Sequence, residues 1–226
     1  MDETTLERRL HLNMALIGGF MGGYAILNHH DLFGSAQTAN MISLAMDVAG
    51  RTDAQWLFRI AGLLIYITGF VAAVVLSHKM TKLHLKRLSI LVDALVLFVI
   101  GFFPEQMNAF VALFPMFFAT AFQWCAFKGA DGFTSSSIFS TNNLRQCTTG
   151  FTEYFCTGNK EELHRGKFYG KVLLFYHSGV ILSFLASSRM GVKGAWIGIF
   201  PTVIAFVFCN VTDMKNTKEK DILRIV

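Results

Sequence analysis

Apolar and polar positions along this chain fall into long blocks rather than short alternations. Six runs approach the ~20 apolar residues that a bilayer crossing requires. They extend over about Leu12 to Leu27, Trp56 to Leu76, Leu88 to Phe103, Met107 to Phe127, Phe168 to Ala186 and Val192 to Val211. The first and third are short and need tilt or a locally thin bilayer. The blocks predict an all-α polytopic membrane bundle of about six transmembrane helices. It forms one membrane domain over residues 1–226, with a tail at 212–226.

Two polar stretches interrupt this pattern. Gly34 to Ser43 lies between the first and second runs, and Ser136 to Arg145 between the fourth and fifth. Thr38-Ala39-Asn40 stands opposite Thr141-Asn142-Asn143. Each stretch opens a short helix, about Thr38 to Val48 and Asn142 to Phe155. Thr38 and Thr141 are natural N-caps, with Asn40 and Asn143 in the first turn. A second match strengthens the comparison: Leu63-Leu-Ile-Tyr-Ile-Thr-Gly69 reads against Leu173-Leu-Phe-Tyr-His-Ser-Gly179, and Ser77 to Met80 against Ser187 to Met190. The chain therefore divides into repeat 1, residues 12–103, and repeat 2, residues 107–211. If the short helices dip in and return, each repeat crosses three times. An odd number turns the second copy upside down, giving an inverted repeat with two re-entrant helices.

Charge orients the bundle. Lys79, Lys82, Lys86 and Arg87 fall on the same side as Arg8, Arg9, Lys160, Arg165, Lys167 and the tail residues Lys215, Lys218, Lys220 and Arg224. The other side keeps Arg51, Arg59, Arg189 and Lys193. The positive-inside tendency places the first group, with both termini, in the cytoplasm. The opening MDETTLERRLHLNM mixes acids with bases, and no small-residue cleavage site ends its apolar run, so no cleavable signal is expected.

With 53% hydrophobic and 15% charged residues, the 226-residue chain is too apolar for an ordinary soluble domain. Its net charge of +5 is spread between apolar runs rather than gathered on a basic face, which argues against a nucleic-acid partner. Cys125, Cys147, Cys156 and Cys209 show no metal-ligand spacing and read as small apolar fillers. H-E-x-x-H, G-x-S-x-G and G-x-x-x-x-G-K are absent, so neither catalytic residues nor a cofactor or metal site is expected.

The candidate residues follow from the polar stretches. Free N–H groups at two helix starts suit an anion or polar solute, so Thr38, Asn40, Thr141, Asn142, Asn143 and Arg145 form a candidate binding set, together with Gln123. Capping alone is the competing account of the threonines and asparagines. Asp93 and Glu153 are carboxylates in apolar surroundings, and His177 replaces Ile67 of the other copy. All three are candidates for ion coupling, with Arg87 or Arg59 as alternative structural partners of Asp93. Tyr66 and Tyr176 occupy equivalent places. Gly18, Gly19, Gly22 and Gly23 form two overlapping small-xxx-small pairs that suit close helix packing. Asn28-His-His-Asp31 reads as a surface loop, because adjacent histidines on a helix do not share a face.

Gly18-Gly-Phe-Met-Gly-Gly-Tyr24, leading to Phe33 through Met41, resembles the first signature of the YoaK-type family, bacterial inner-membrane proteins grouped under a domain of unknown function. Phe122-Gln123, Ala126-Phe127-Lys128 and Ser140-Thr-Asn-Asn-Leu-Arg145 resemble its second signature. The resemblance covers roughly Leu12 to Val211. Where the family carries an acid after its first Gly-Gly-Phe-x, this chain has Gly22, and its two Thr-Gly-Asn motifs read Thr-Ala-Asn and Thr-Asn-Asn here. The resemblance implies a bacterial cytoplasmic-membrane location and supports the architecture rather than an activity. From the residues themselves, a transporter or channel for a small polar or anionic solute is expected. The alternative is a scaffold that docks a partner through Lys79, Lys82, Lys86 and Arg87. The bilayer and a second copy of the chain are the other partners to consider.

Overall fold

The computed structural model describes residues 3–29, 32–51 and 54–225, with side chains for 4–29, 32–51 and 54–214. His30 and Asp31 lie outside the described residues, as do the side chains of the basic tail. Long helices dominate: α1 Glu3–Asn28, α3 Trp56–Ser77, α4 Lys82–Ile100, α5 Ala109–Ala126, α7 Lys160–Met190 and α8 Ile199–Ile225, with short helices α2 Thr38–Val48 and α6 Thr141–Thr157 between them. A 3₁₀ segment, Gly191–Gly198, turns α7 into α8. Among the described residues, four stretches are long and apolar enough to cross a membrane: Thr4–Asn28, Trp56–Ser77, Ala109–Ala126 and the continuous Lys160–Met214. The chain is thus a helical membrane protein. At 55 residues and about 1.5 Å each, the last stretch would span roughly 80 Å, far more than one crossing, and it folds back at the 3₁₀ segment. Lys82, His84, Lys86 and Arg87 in its first turns set α4 apart from those four.

One element was not expected from the sequence, an antiparallel hairpin of β1 Gly129–Ala130 and β2 Phe133–Thr134. Its turn is Asp131-Gly132, both at positive φ, the pair of conformations that a two-residue hairpin favours. Arg8 holds the Asp131 carboxylate at 3.1 Å.

Contacts fix the helix directions. Along α1 and α7, Gly19 lies on Tyr176, Gly23 on Val180 and Ser183, and Asn28 donates to Ser187, so residue numbers rise together and the helices are parallel. Gly62 on Phe117, Gly69 on Phe118 and Ala121, and Phe70 on Trp124 make α3 and α5 parallel too. Asn13 donates to Pro201 O while Tyr24 donates to Val192 O, so α8 runs against α1. Gln123 near the end of α5 reaches Met14 at the middle of α1, and Gly34, just past the end of α1, lies on Met116 at the middle of α5. Hence α1 and α5 are antiparallel. The pairing exchanges between halves: α1 packs on α7 and α8 as α5 packs on α3 and α4.

Helix α1, past its charged first turns, and helix α5 are largely apolar all round and form the centre, with Met14, Ile17, Phe20, Met21, Leu113, Met116 and Phe117 inaccessible. The glycines of α1 divide their contacts. Gly19 and Gly23 face α7, while Gly18 lies against the Ser137 carbonyl. Gly22 is looser, near the Tyr176 hydroxyl and Phe33. Of the cysteines, Cys209 is buried, Cys125 and Cys147 are half-buried, and Cys156 is exposed, so filling describes the first three only.

Candidate functional site: two helix starts at mid-depth

Helices α4, α5 and α7 begin near the ends of the bundle, and each has a side-chain cap. Thr81 accepts from His84 N, Asn108 from Phe110 N and Val111 N, and Asn159 from Glu161 N. Helix α3, with Gln55 as its N-cap, has no such cap, and neither do the two short helices α2 and α6. Their N-caps are Gln37 and Ser140 rather than the expected Thr38 and Thr141, and neither makes a side-chain cap hydrogen bond. Both cap residues have αR backbone, which turns the side chain away from the first-turn N–H groups.

These two starts lie deep. Ser35 O accepts from Tyr66, at the middle of α3, at 2.9 Å, whereas Asp47 near the end of α2 pairs with Arg59 near the start of α3 at 3.3 Å. Helix α2 therefore climbs from mid-depth against α3. Its 11 residues cover roughly 16 Å, about half a ~30 Å hydrocarbon core. Helix α6 descends in the same way against α7: Cys147 neighbours Gly170, and Gly150 lies on Gly166. The segments leading into α2 and α6 touch each other, with Ser35 Oγ donating to Ile138 O at 3.3 Å.

Buried amides and hydroxyls tie these segments down. Asn143, 1% exposed, accepts from Ser135 Oγ at 3.1 Å and donates to Ser136 O at 2.7 Å and Phe139 O at 2.9 Å. Gln123 Nε2 donates to Met14 O and Ser137 Oγ, joining α1, α5 and the second segment. Thr120 Oγ1 donates to Gly34 O at 3.1 Å. Asn40 is also buried and donates to Gln37 Oε1 at 2.9 Å.

A cavity of about 900 Å³ opens where the two starts approach. Gln37, Thr38, Thr141, Asn142 and Arg145 line it, with an apolar wall from Met41, Leu63, Tyr66, Ile67, Phe70, Trp124 and Phe139. Among the described residues that line it, Arg145 alone is charged. The guanidinium donates to Asn142 Oδ1 at 3.0 Å, and no carboxylate among the described residues pairs with it. Gln37 is 5% exposed, and its Nε2 has no partner. Of the sequence candidates, Thr38, Thr141, Asn142 and Arg145 meet at the cavity, while Asn40, Asn143 and Gln123 stand behind it as braces. Gln37 and the aromatics Phe70 and Phe139 carried no signal in the sequence. An amide one residue before a threonine reads as a turn residue, and phenylalanine in a chain with 23 of them reads as lipid-facing.

The three coupling candidates do not join the cavity. Asp93 is fully buried on α4, and neither carboxylate oxygen has a partner; Ser89 Oγ, one turn earlier, has none either. The cations considered for Asp93 go elsewhere, Arg59 to Asp47 and Arg87 to Asp213. Glu153 is exposed on α6, twelve positions past Thr141 and thus about 18 Å along the helix. His177 is exposed on α7, with Nδ1 2.8 Å from Leu173 O of its own helix. In the basic loop, Lys86 is held by Glu7 at 2.7 Å and Arg87 by Asp213 at 2.7 Å, which leaves Lys79 and Lys82 as its free exposed cations. Asn28 and His29 are not in an open loop: Asn28 bonds Tyr24 O and Ser187 Oγ, and His29 is buried against Tyr24.

Comparison with known families gives one match, to a model described as "Protein of unknown function (DUF1275)", over residues 10–208. No curated protein and no solved structure matches the chain.

Proposed function

The chain belongs to the DUF1275 family, proteins of unknown function, and we propose that it carries a small polar or anionic solute across a bacterial cytoplasmic membrane. The observation that carries this reading is the pair of uncapped helix starts at mid-depth, one approached from each side, around a cavity whose single charge is Arg145. Two helix starts without side-chain caps, at the positive ends of their dipoles, favour a negative or strongly polar guest. The exchange of helix partners between the halves supports an inverted duplication, with three crossings per copy and α2 and α6 re-entrant. In such a duplication, rocking one half against the other exposes a central site to each side in turn. The role is transport rather than catalysis.

Purified protein in liposomes is expected to move small anions, and Arg145→Ala to reduce that flux by at least tenfold while leaving thermal unfolding unchanged. Wild-type flux in Arg145→Ala would sink the assignment. For the topology, single cysteines placed at Lys79 and Lys193 in a background without the native cysteines should label from opposite faces. Lys79 is expected to react from the cytoplasm. Labelling of both from one side would refute the six-crossing arrangement.

A further inference from the structure

We infer that the guest of the mid-depth cavity is an aromatic carboxylate, a monoanion with a ring body, rather than an inorganic ion. This rests on the transport-site reading above and narrows it. The cavity lining is of two unlike kinds. Its polar groups are Arg145, Thr38, Thr141, Asn142 and Gln37, whose Nε2 is buried without a partner, at the starts of two helices that lack side-chain caps. One fixed positive charge and no carboxylate among the lining residues match a single negative charge on the guest. Guanidinium also meets a carboxylate in a planar two-point fork.

The rest of the wall is unsuited to a hydrated inorganic ion. Four rings form an unbroken string: Tyr66 to Phe70 at 4.8 Å, Phe70 to Trp124 at 5.7 Å and Trp124 to Phe139 at 4.6 Å between centroids. Such a surface cannot replace the water that a nitrate or chloride would lose on entering, but it stacks well on another ring. The volume agrees. About 900 Å³ falls within the range of pockets that enclose a small organic molecule, far larger than a monatomic ion needs. A single cation with a few polar groups, beside a large aromatic area, thus defines both parts of the ligand.

The test is calorimetric binding to the full chain in lipid nanodiscs, using phenylacetate, acetate, nitrate and the neutral isostere phenylacetamide. Phenylacetate should bind at least about tenfold tighter than each of the other three. Arg145→Gln should weaken it about tenfold, and Trp124→Leu should shrink its advantage over acetate to within about twofold. Thermal unfolding in the same discs identifies any variant that loses affinity only by losing its fold, and Gln37→Leu then provides a second probe of the polar groups. Acetate and nitrate binding as tightly as phenylacetate, with dependence on Arg145, would overturn the aromatic class while leaving the anion site intact. Phenylacetamide binding equally well would overturn both, marking a cavity that takes neutral apolar groups such as a lipid tail. Anion flux with no phenylacetate binding would overturn this inference alone.

Discussion

Gly179→Ala is expected to cost the protein roughly 3 kcal/mol or more of stability, seen as a large drop in the unfolding temperature of the detergent-solubilised protein. A Cβ at Gly179 would fall on the Leu16 carbonyl of α1 and 2.8 Å from Phe20 N. Neither backbone can yield without separating α1 from α7, the most extensive helix pair in the fold. Gly19 makes the reciprocal approach, with its own Cβ position falling on the Tyr176 carbonyl. In lipid there is no hydrophobic gain from bringing two helices together, so close backbone contact supplies much of what holds them. Gly170→Ala on the same helix is the control. Its added Cβ would meet only Cys147 Sγ, at 3.5 Å, and alanine favours the helix by up to about 1 kcal/mol over glycine. Equal unfolding temperatures for the two variants would show that the α1–α7 approach is not what stabilises the bundle.

Asn143→Ala is expected to remove roughly 3 kcal/mol and to abolish transport with it. The substitution takes away three hydrogen bonds at a residue that is 1% exposed, leaving the carbonyls of Ser136 and Phe139 and the Ser135 hydroxyl without that partner. Each buried polar group left unsatisfied costs about 1–3 kcal/mol. Their shared partner makes the total less than the sum. Asn40→Ala in the other half removes a single bond, to Gln37, and should cost only about 1 kcal/mol. The contrast with Arg145 separates two roles. Arg145→Ala should lose flux in a protein that unfolds normally, and Asn143→Ala should lose flux because the segment leading into α6 loosens. A normal unfolding temperature for Asn143→Ala would show that this brace is not needed.

The long apolar blocks were legible because a bilayer demands about 20 such residues per crossing, and α1, α3, α4, α5, α7 and α8 stand where those blocks stand. The two polar stretches were legible for the opposite reason, since polar residues amid such runs need partners. The hairpin at Gly129 to Thr134 leaves no periodic pattern, because only four residues pair, and Asp131-Gly132 is its one local turn signal. The cap positions slipped by one residue: a threonine caps only when its backbone is extended, and here the chain enters both helices already in αR.

By itself the sequence determined a membrane protein of apolar helices with two polar interruptions, because those features depend on local composition and length. It also supplied Thr38, Thr141, Asn142 and Arg145 as residues of interest. Which polar groups face a guest and which are consumed as braces was decided by the tertiary structure alone. Asn143 and Arg145 are two positions apart on α6, yet one points its amide into the preceding segment and the other borders the cavity. Asn143 is held by the adjoining segment, four to eight positions back, while Gln123 is claimed by Met14 O of α1, 109 positions away, and no local pattern encodes a contact of that range.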